Sequence, residues 1–202
     1  MTNAMQDSEQ NIGDSFRVAM SRLAAGVVMV TCRVDGQPWG LTVSACCSVS
    51  MDPPLILASL GANTVSAAAI TQHGIFGISV LGPQLVEVAQ FGSSRGEPKF
   101  MQHLCANEHP QSDSPAVNGA VAHIDCLLEQ RIVAGDHILF IGRVCNALLG
   151  DSDTPLVYHG RTYHQLVPST DLGVRPVADE TIDSLLYDYP LPRRFARVHP
   201  PN

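Results

Sequence analysis

Lysine is almost absent from this chain. Lys99 is the only one among 12 basic residues, and 19 acidic residues bring the net charge to −7. A nucleic-acid binder needs a dense Lys/Arg face to displace counterions, and a helix that lies on a membrane surface needs a basic polar face. The composition argues against both. Charged residues are also scarce (15%), as are aromatic ones (5%), yet 45% of the 202 residues are hydrophobic and mean hydropathy is +0.10. Such a chain is not disordered. It is long enough to bury a sizeable core as one domain, or one domain with an appendage.

Other absences narrow the chemistry. No apolar run reaches the roughly 18 residues that cross a bilayer. The polar, acidic start, Met1 to Asp14, has neither the basic nor the apolar region of a secretory signal, so a cytoplasmic location is expected. The six cysteines form no C-x-x-C pair and read as free thiols that behave as small hydrophobes, not as a disulfide framework. The doubly wound dinucleotide fingerprint G-x-G-x-x-G, the phosphate loop G-x-x-x-x-G-K-[ST], H-E-x-x-H and G-x-S-x-G are all missing. The eight histidines do not cluster at ligand spacing. A zinc site at His159 and His164, facing across a hairpin, is the weaker reading, and no metal is expected. Nothing favours a cysteine–histidine nucleophile pair.

What is present is mostly strand. Residues 1–13 read as a flexible leader, and Asp14 and Ser15 as caps of a helix that stops at Gly26. The β-branched run Val27 to Thr31 follows, then the hairpin signal Asp35-Gly36. Gly40 to Ser50 reads as one strand ending at Asp52-Pro53-Pro54, and Leu55 to Leu60 as the next. Asn63 or Thr64 caps a helix over Val65 to Gln72 that Gly74 stops, Ile75 to Leu81 is a strand, and Pro83 opens a third helix through Phe91. Residues 92–118 read as a long loop with one short helix at Phe100 to Leu104. Strands follow at Val121 to Leu128, at Ile138 to Leu149 after the Gly135-Asp136 turn, and at Leu156 to Leu166 around His159-Gly160. The expected architecture is mainly β, an antiparallel barrel with short helices, over residues 14–166. Residues 167–202, rich in proline, form an extension that packs on the barrel or on a second subunit.

Three segments could carry function. If Gly40 to Ser50 is one strand, Thr42, Ser44, Cys46, Ser48 and Ser50 share a face. That narrow polar face lets a flat ligand approach backbone N–H and C=O groups. The plainer reading is a packed strand with satisfied hydroxyls. Ser59-Leu60-Gly61-Ala62-Asn63-Thr64-Val65-Ser66 runs from a strand through a glycine turn into a helix N-terminus, which favours an anion; simple capping needs only Asn63 or Thr64. Gly135-Asp136-His137 places a titratable side chain at a strand entrance, either lining a cleft or exposed on a turn.

Together these segments resemble the short-chain flavin reductase family, which has the FMN-binding split-barrel fold. The matching residues run in the family's order across roughly residues 15–166: Ala25 to Thr31, Gly40 to Pro54, Asn63-Thr64, Gly74 to Leu81, Phe91-Gly92, Lys99-Phe100, Ile124-Asp125-Cys126, Gly135-Asp136-His137, Ile141 to Val144, and Pro155 to His159 with Tyr163. The most specific part is G-L-T-x-S-x-x-x-S-V-S-x-D-P-P. The resemblance implies a homodimer that binds FMN or FAD, with NADH or NADPH as hydride donor. It places Thr42, Val43, Ser44 and Ala45 along the flavin ring and Ser59, Leu60, Gly61 and Asn63 along the ribityl and phosphate end. Phe91 and Tyr163 would lie near the ring, and His137 by the nicotinamide. Cys46 and Cys47 stand where the family often has a bulkier residue, which implies more room by the ring or looser binding. The implied role is reduction of flavin for a separate oxygenase acting on a small, aromatic compound. The alternatives are a non-enzymatic flavin-binding module and a flavin-dependent reductase of another acceptor.

Overall fold

The computed structural model describes residues 2–105 and 112–167, with side chains from Ile12 onward. The extension expected over residues 167–202 lies, apart from Val167, outside them.

Helix α1 (Thr2–Ser21) starts earlier than expected, so it runs through the stretch read as a leader. No proline interrupts residues 2–21, and Ala, Met, Gln and Glu sustain a helix. Asp14 therefore lies inside the helix, not at its cap, and its carboxylate pairs with Arg17 at 2.7 Å. The helix also ends before Gly26, because Gly26 is engaged elsewhere. It belongs to β1 (Ala25–Gly26) and pairs with Val157.

The hairpin of β2 (Val28–Val34) and β3 (Gln37–Val43) turns at Asp35 and Gly36, with φ of 51° and 75°. Positive φ at both central residues matches the twist of the flanking strands. Then come β4 (Cys46–Met51), β5 (Pro54–Gly61), α2 (Val65–His73) and β6 (Ile75–Val80). A 3-10 turn from Pro83 leads into α3 (Val86–Ser93). The long strands β7 (Ala122–Ala134) and β8 (His137–Leu149) follow, and β9 (Leu156–His159) and β10 (Thr162–Gln165) close the described part. The helix expected at 100–104 is a single turn. Its backbone is held by β3, through Gly40 N–H to Lys99 O and Met101 N–H to Pro38 O, and pairing with a strand precludes a helix there.

Seven antiparallel strands form one sheet in the order β3-β2-β6-β7-β8-β5-β4, and β1-β9-β10 form a second. β3 and β4, consecutive in the chain, are the two outer strands of the large sheet, so the sheet must curl to bring them together. At the end of β4, Ser59 N–H donates to Ala45 O at 2.9 Å and extends the β4–β5 ladder by one rung. This is the split barrel that the resemblance implied. β2 is buried on both faces: Val28, Val30 and Cys32 enter the barrel core with Phe76, Ile78 and Phe140, while Met29 joins Met101, Leu81 and Leu156 in a second core under α3.

The outer face of β2, β6 and β7 carries a buried polar layer. The register sets Thr31 beside Gly77 and Gly77 beside Asp125, with Ser79 beside His123 one step along. Asp125 Oδ1 accepts from Ser112 Oγ (2.8 Å), Ser114 N–H (3.0 Å) and Ser114 Oγ (2.5 Å), and Oδ2 accepts from Asn146 Nδ2 (3.1 Å). The His123 ring bridges Ser79 Oγ at 2.8 Å and Ser114 Oγ at 3.0 Å. This layer holds residues 112–117 against the sheet.

Candidate functional site

The run Gly40 to Ser50 is not one strand. β3 ends at Val43, Ser44 and Ala45 form a corner, and β4 starts on the opposite edge of the sheet. The shared face expected for Thr42, Ser44, Cys46, Ser48 and Ser50 is therefore broken. The chain passes from one outer strand to the other at this corner, and alternation along a sequence does not reveal it. The break leaves Ser44 and Ala45 exposed beside Ser59 of β5. Thr42 is half-buried, with its hydroxyl 3.7 Å from Met29 Sδ. A Cβ at Gly92 would meet Thr42 Oγ1 and, at 2.6 Å, Met29 Cε, so only glycine lets α3 lie this close to β3.

The end of β5, from Ser59 through Gly61, leads to the start of α2. Thr64 is the cap: its Oγ1 accepts from Ala67 N–H at 3.2 Å and donates to Gly61 O at 2.8 Å. Asn63 is thereby released from capping and is exposed. The Leu60 side chain is in the barrel core, so only its backbone is available to a ligand. Past this helix start lies a groove of about 700 Å³, with Trp39 and Leu41 of β3 among its lining and Asn63, Thr64, Arg95 and Lys99 among its polar groups. Lys99 Nζ donates to Gly92 O at 2.6 Å, at the C-terminal end of α3, where the helix dipole favours a cation. Desolvation holds its pKa below the usual lysine value. Glu97 also lines the groove, but two cations beside a helix N-terminus are chemistry suited to a phosphate.

His137, the first residue of β8, pairs in register with Gly61, and Ala62 N–H donates to Asp136 O at 2.9 Å. The third candidate segment thus sits at the same end of the barrel as the second. Phe91 and Tyr163 pack on the second core. The Phe91 ring lies 6.3 Å from His103, and the Tyr163 ring 5.2 Å from Tyr158.

Sequence reasoning assigned no role to Arg95 or Lys99. A signal was available: the only lysine of the chain sits in a Gly/Ser/Pro loop just after a helix. Of the cysteines, Cys32, Cys105 and Cys126 are buried as expected, but Cys47 and Cys145 are exposed. At the corner, burial pushes the Cys46 thiol up to about 11, so it is protonated at neutral pH and is not a nucleophile. His159 and His164 do face each other, with ring centroids 5.7 Å apart.

The profile described as the flavin reductase like domain matches residues 20–167. The chain belongs to this family. An NADH-dependent flavin reductase from Rhodococcus sp is 33% identical over 155 residues, covering 75% of this chain and 85% of that protein. The reductase subunit HsaB of a flavin-dependent monooxygenase from Rhodococcus jostii is 33% identical over 154 residues, covering 76% of this chain and 77% of the relative. Among solved structures, the flavin reductase component BorF of a bacterial two-component tryptophan halogenase superposes with a TM-score of 0.70 at 32% identity, covering 77% of this chain and 99% of BorF. Among the described residues, no helix is long and apolar enough to cross a membrane.

Proposed function

We propose that this chain is an NAD(P)H:flavin oxidoreductase that reduces FMN or FAD with NADH or NADPH and supplies a separate oxygenase acting on a small, aromatic compound. The observation that carries the reading is the groove with a helix N-terminus and two cations on its walls, in line along β3 with the open corner at Ser44 and Ala45. The donor set fits a flavin. Asn63, Thr64, Arg95 and Lys99 bind its phosphate. Gly61 and the backbone of Leu60 follow the ribityl chain. Thr42, Val43, Ser44, Ala45 and Ser59 border the ring edge, Phe91 and Tyr163 wall the site, and His137 orients the nicotinamide. A flavin bound here supplies a two-electron acceptor for hydride. The protein contributes orientation and a polar edge, and needs no nucleophile. The relatives serve oxygenase or halogenase partners, and the six free thiols accord with the reducing cytoplasm.

Purified protein with FMN or FAD accelerates NADH oxidation, followed by loss of the nicotinamide absorbance band. Flavin affinity is on the order of micromolar, about 8 kcal/mol, because reduced flavin must leave. If no combination of flavin and nicotinamide turns over, the non-enzymatic flavin-binding module replaces this reading.

The active species is a homodimer. Val49, Met51, Ile132 and Val133 leave apolar surface exposed on the strands, and a second subunit would cover it. Light scattering at micromolar concentration gives twice the chain mass; a fully active monomer contradicts the assembly.

A further inference from the structure

We propose that Asp136 is a positioning residue: it fixes the tautomer of His137, so that Nε2 is presented as a hydrogen-bond acceptor for the carboxamide N–H of the nicotinamide. The proposal rests on the reading of His137 as the nicotinamide contact.

Asp136 Oδ1 lies 2.7 Å from His137 Nδ1. Neighbouring residues within a strand point to opposite faces, so such a pair needs a break in the strand. The turn supplies it. Gly135 takes a φ of 62°, and His137 is already register-paired with Ala134 and Gly61. The backbone of Asp136 is clamped by Ala62 N–H. Its side chain can therefore fold back onto the ring while the ring's own backbone stays in the sheet.

A carboxylate only accepts, so Nδ1 must carry the proton. The neutral histidine side chain in water prefers the proton on Nε2. The Asp136 contact reverses that preference, leaving a lone pair on Nε2 of a half-exposed ring. A carboxamide offers two N–H donors, which an Nε2–H tautomer could not accept. An exposed Asp–His pair contributes little to folding, so its consequence lies in the chemistry it presets. The Asp136 pKa is lowered, chiefly by this hydrogen bond, which accords with the pairing.

The test uses the full chain. Histidine is labelled with ¹⁵N, and long-range ¹H–¹⁵N correlation is recorded without flavin at mildly alkaline pH. Wild type shows His137 protonated on Nδ1, and Asp136→Ala shifts it to Nε2–H. Asp136→Asn, which keeps an accepting oxygen, restores most of the Nδ1–H form. In turnover, Asp136→Ala raises the KM for NADH about three- to tenfold, while the flavin Kd stays within about twofold. A wild type already on Nε2–H, or an Asp136→Ala variant with unchanged tautomer and KM, overturns the proposal. His137→Ala lowers kcat/KM for NADH about tenfold to a hundredfold. If that variant uses NADH like wild type, the underlying His137 reading fails, and the failure is recognisable because the wild-type signal still shows Nδ1–H.

Discussion

Asp125→Ala lowers the unfolding free energy by about 3–5 kcal/mol. The substitution removes an acceptor that Ser112 Oγ, Ser114 Oγ, Ser114 N–H and Asn146 Nδ2 share, in a layer where Asp125 is 1% exposed. A buried donor left unpaired costs about 1–3 kcal/mol, and entry of water into the gap offsets part of the sum. For a domain of this size the melting temperature falls by about 6–20 °C. Urea denaturation checks it: the midpoint moves down while the slope holds. Asp125→Asn is milder, about 1–3 kcal/mol, because its oxygen still serves the serines while its amide meets the donor of Asn146. An unfolding free energy within about 0.5 kcal/mol of wild type for Asp125→Ala would show that the layer does not hold the fold.

The same carboxylate contributes to the acid limb of stability. Burial alone would raise its pKa, but hydrogen bonds from Ser114, Ser112 and Asn146, with the influence of His123, outweigh burial and keep it below the ordinary value of 3.8. Its folded pKa is thus depressed. The contribution is fully present above the unfolded pKa of about 3.9 and is lost as pH falls below that through the folded value. Removing the carboxylate therefore narrows the gap in stability between neutral and acid pH.

Ser44→Tyr abolishes measurable flavin binding, with affinity falling at least about a hundredfold, or about 3 kcal/mol. Ser44 is an exposed corner residue, so a phenol ring there occupies the proposed ring site without disturbing either core. The melting temperature stays near wild type. Ser48→Tyr, at an exposed position further along β4, keeps its affinity and serves as the control. Flavin fluorescence quenching gives both constants. If Ser44→Tyr is folded and binds flavin as wild type does, the ring is not bordered by the corner.

The corner also shows why part of the site could not be read from the chain alone. The polar small-residue run around Thr42 and Ser44 was visible, as was the phosphate-like setting of Asn63. The shared strand face was wrong, because Val43 and Cys46 belong to opposite edges of the curled sheet. Arg95 and Lys99 escaped because the loop that carries them meets α2 only in the folded chain. The Asp125 layer escaped for a similar reason. Its members come from β6, β7, β8 and the segment at Ser112–Ser114, and only strand register aligns them.

Local chemistry determined where most elements turn or stop. Asp35-Gly36, Thr64 with Gly74, Gly135-Asp136 and the Gly160 turn each need particular backbone angles or one capping oxygen, and the residues that supply them are neighbours in the chain. Those requirements are met within a few residues, so a linear reading recovers them, and the ordered motifs were enough to indicate the flavin reductase family. The tertiary structure alone decided that β3 and β4 are the two outer strands of the large sheet, that Gly61 lies beside His137, and that two cations share a groove with one helix start. These are pairings between distant segments. Their energy comes from sheet register and barrel closure, which depend on the whole set of strands being in place.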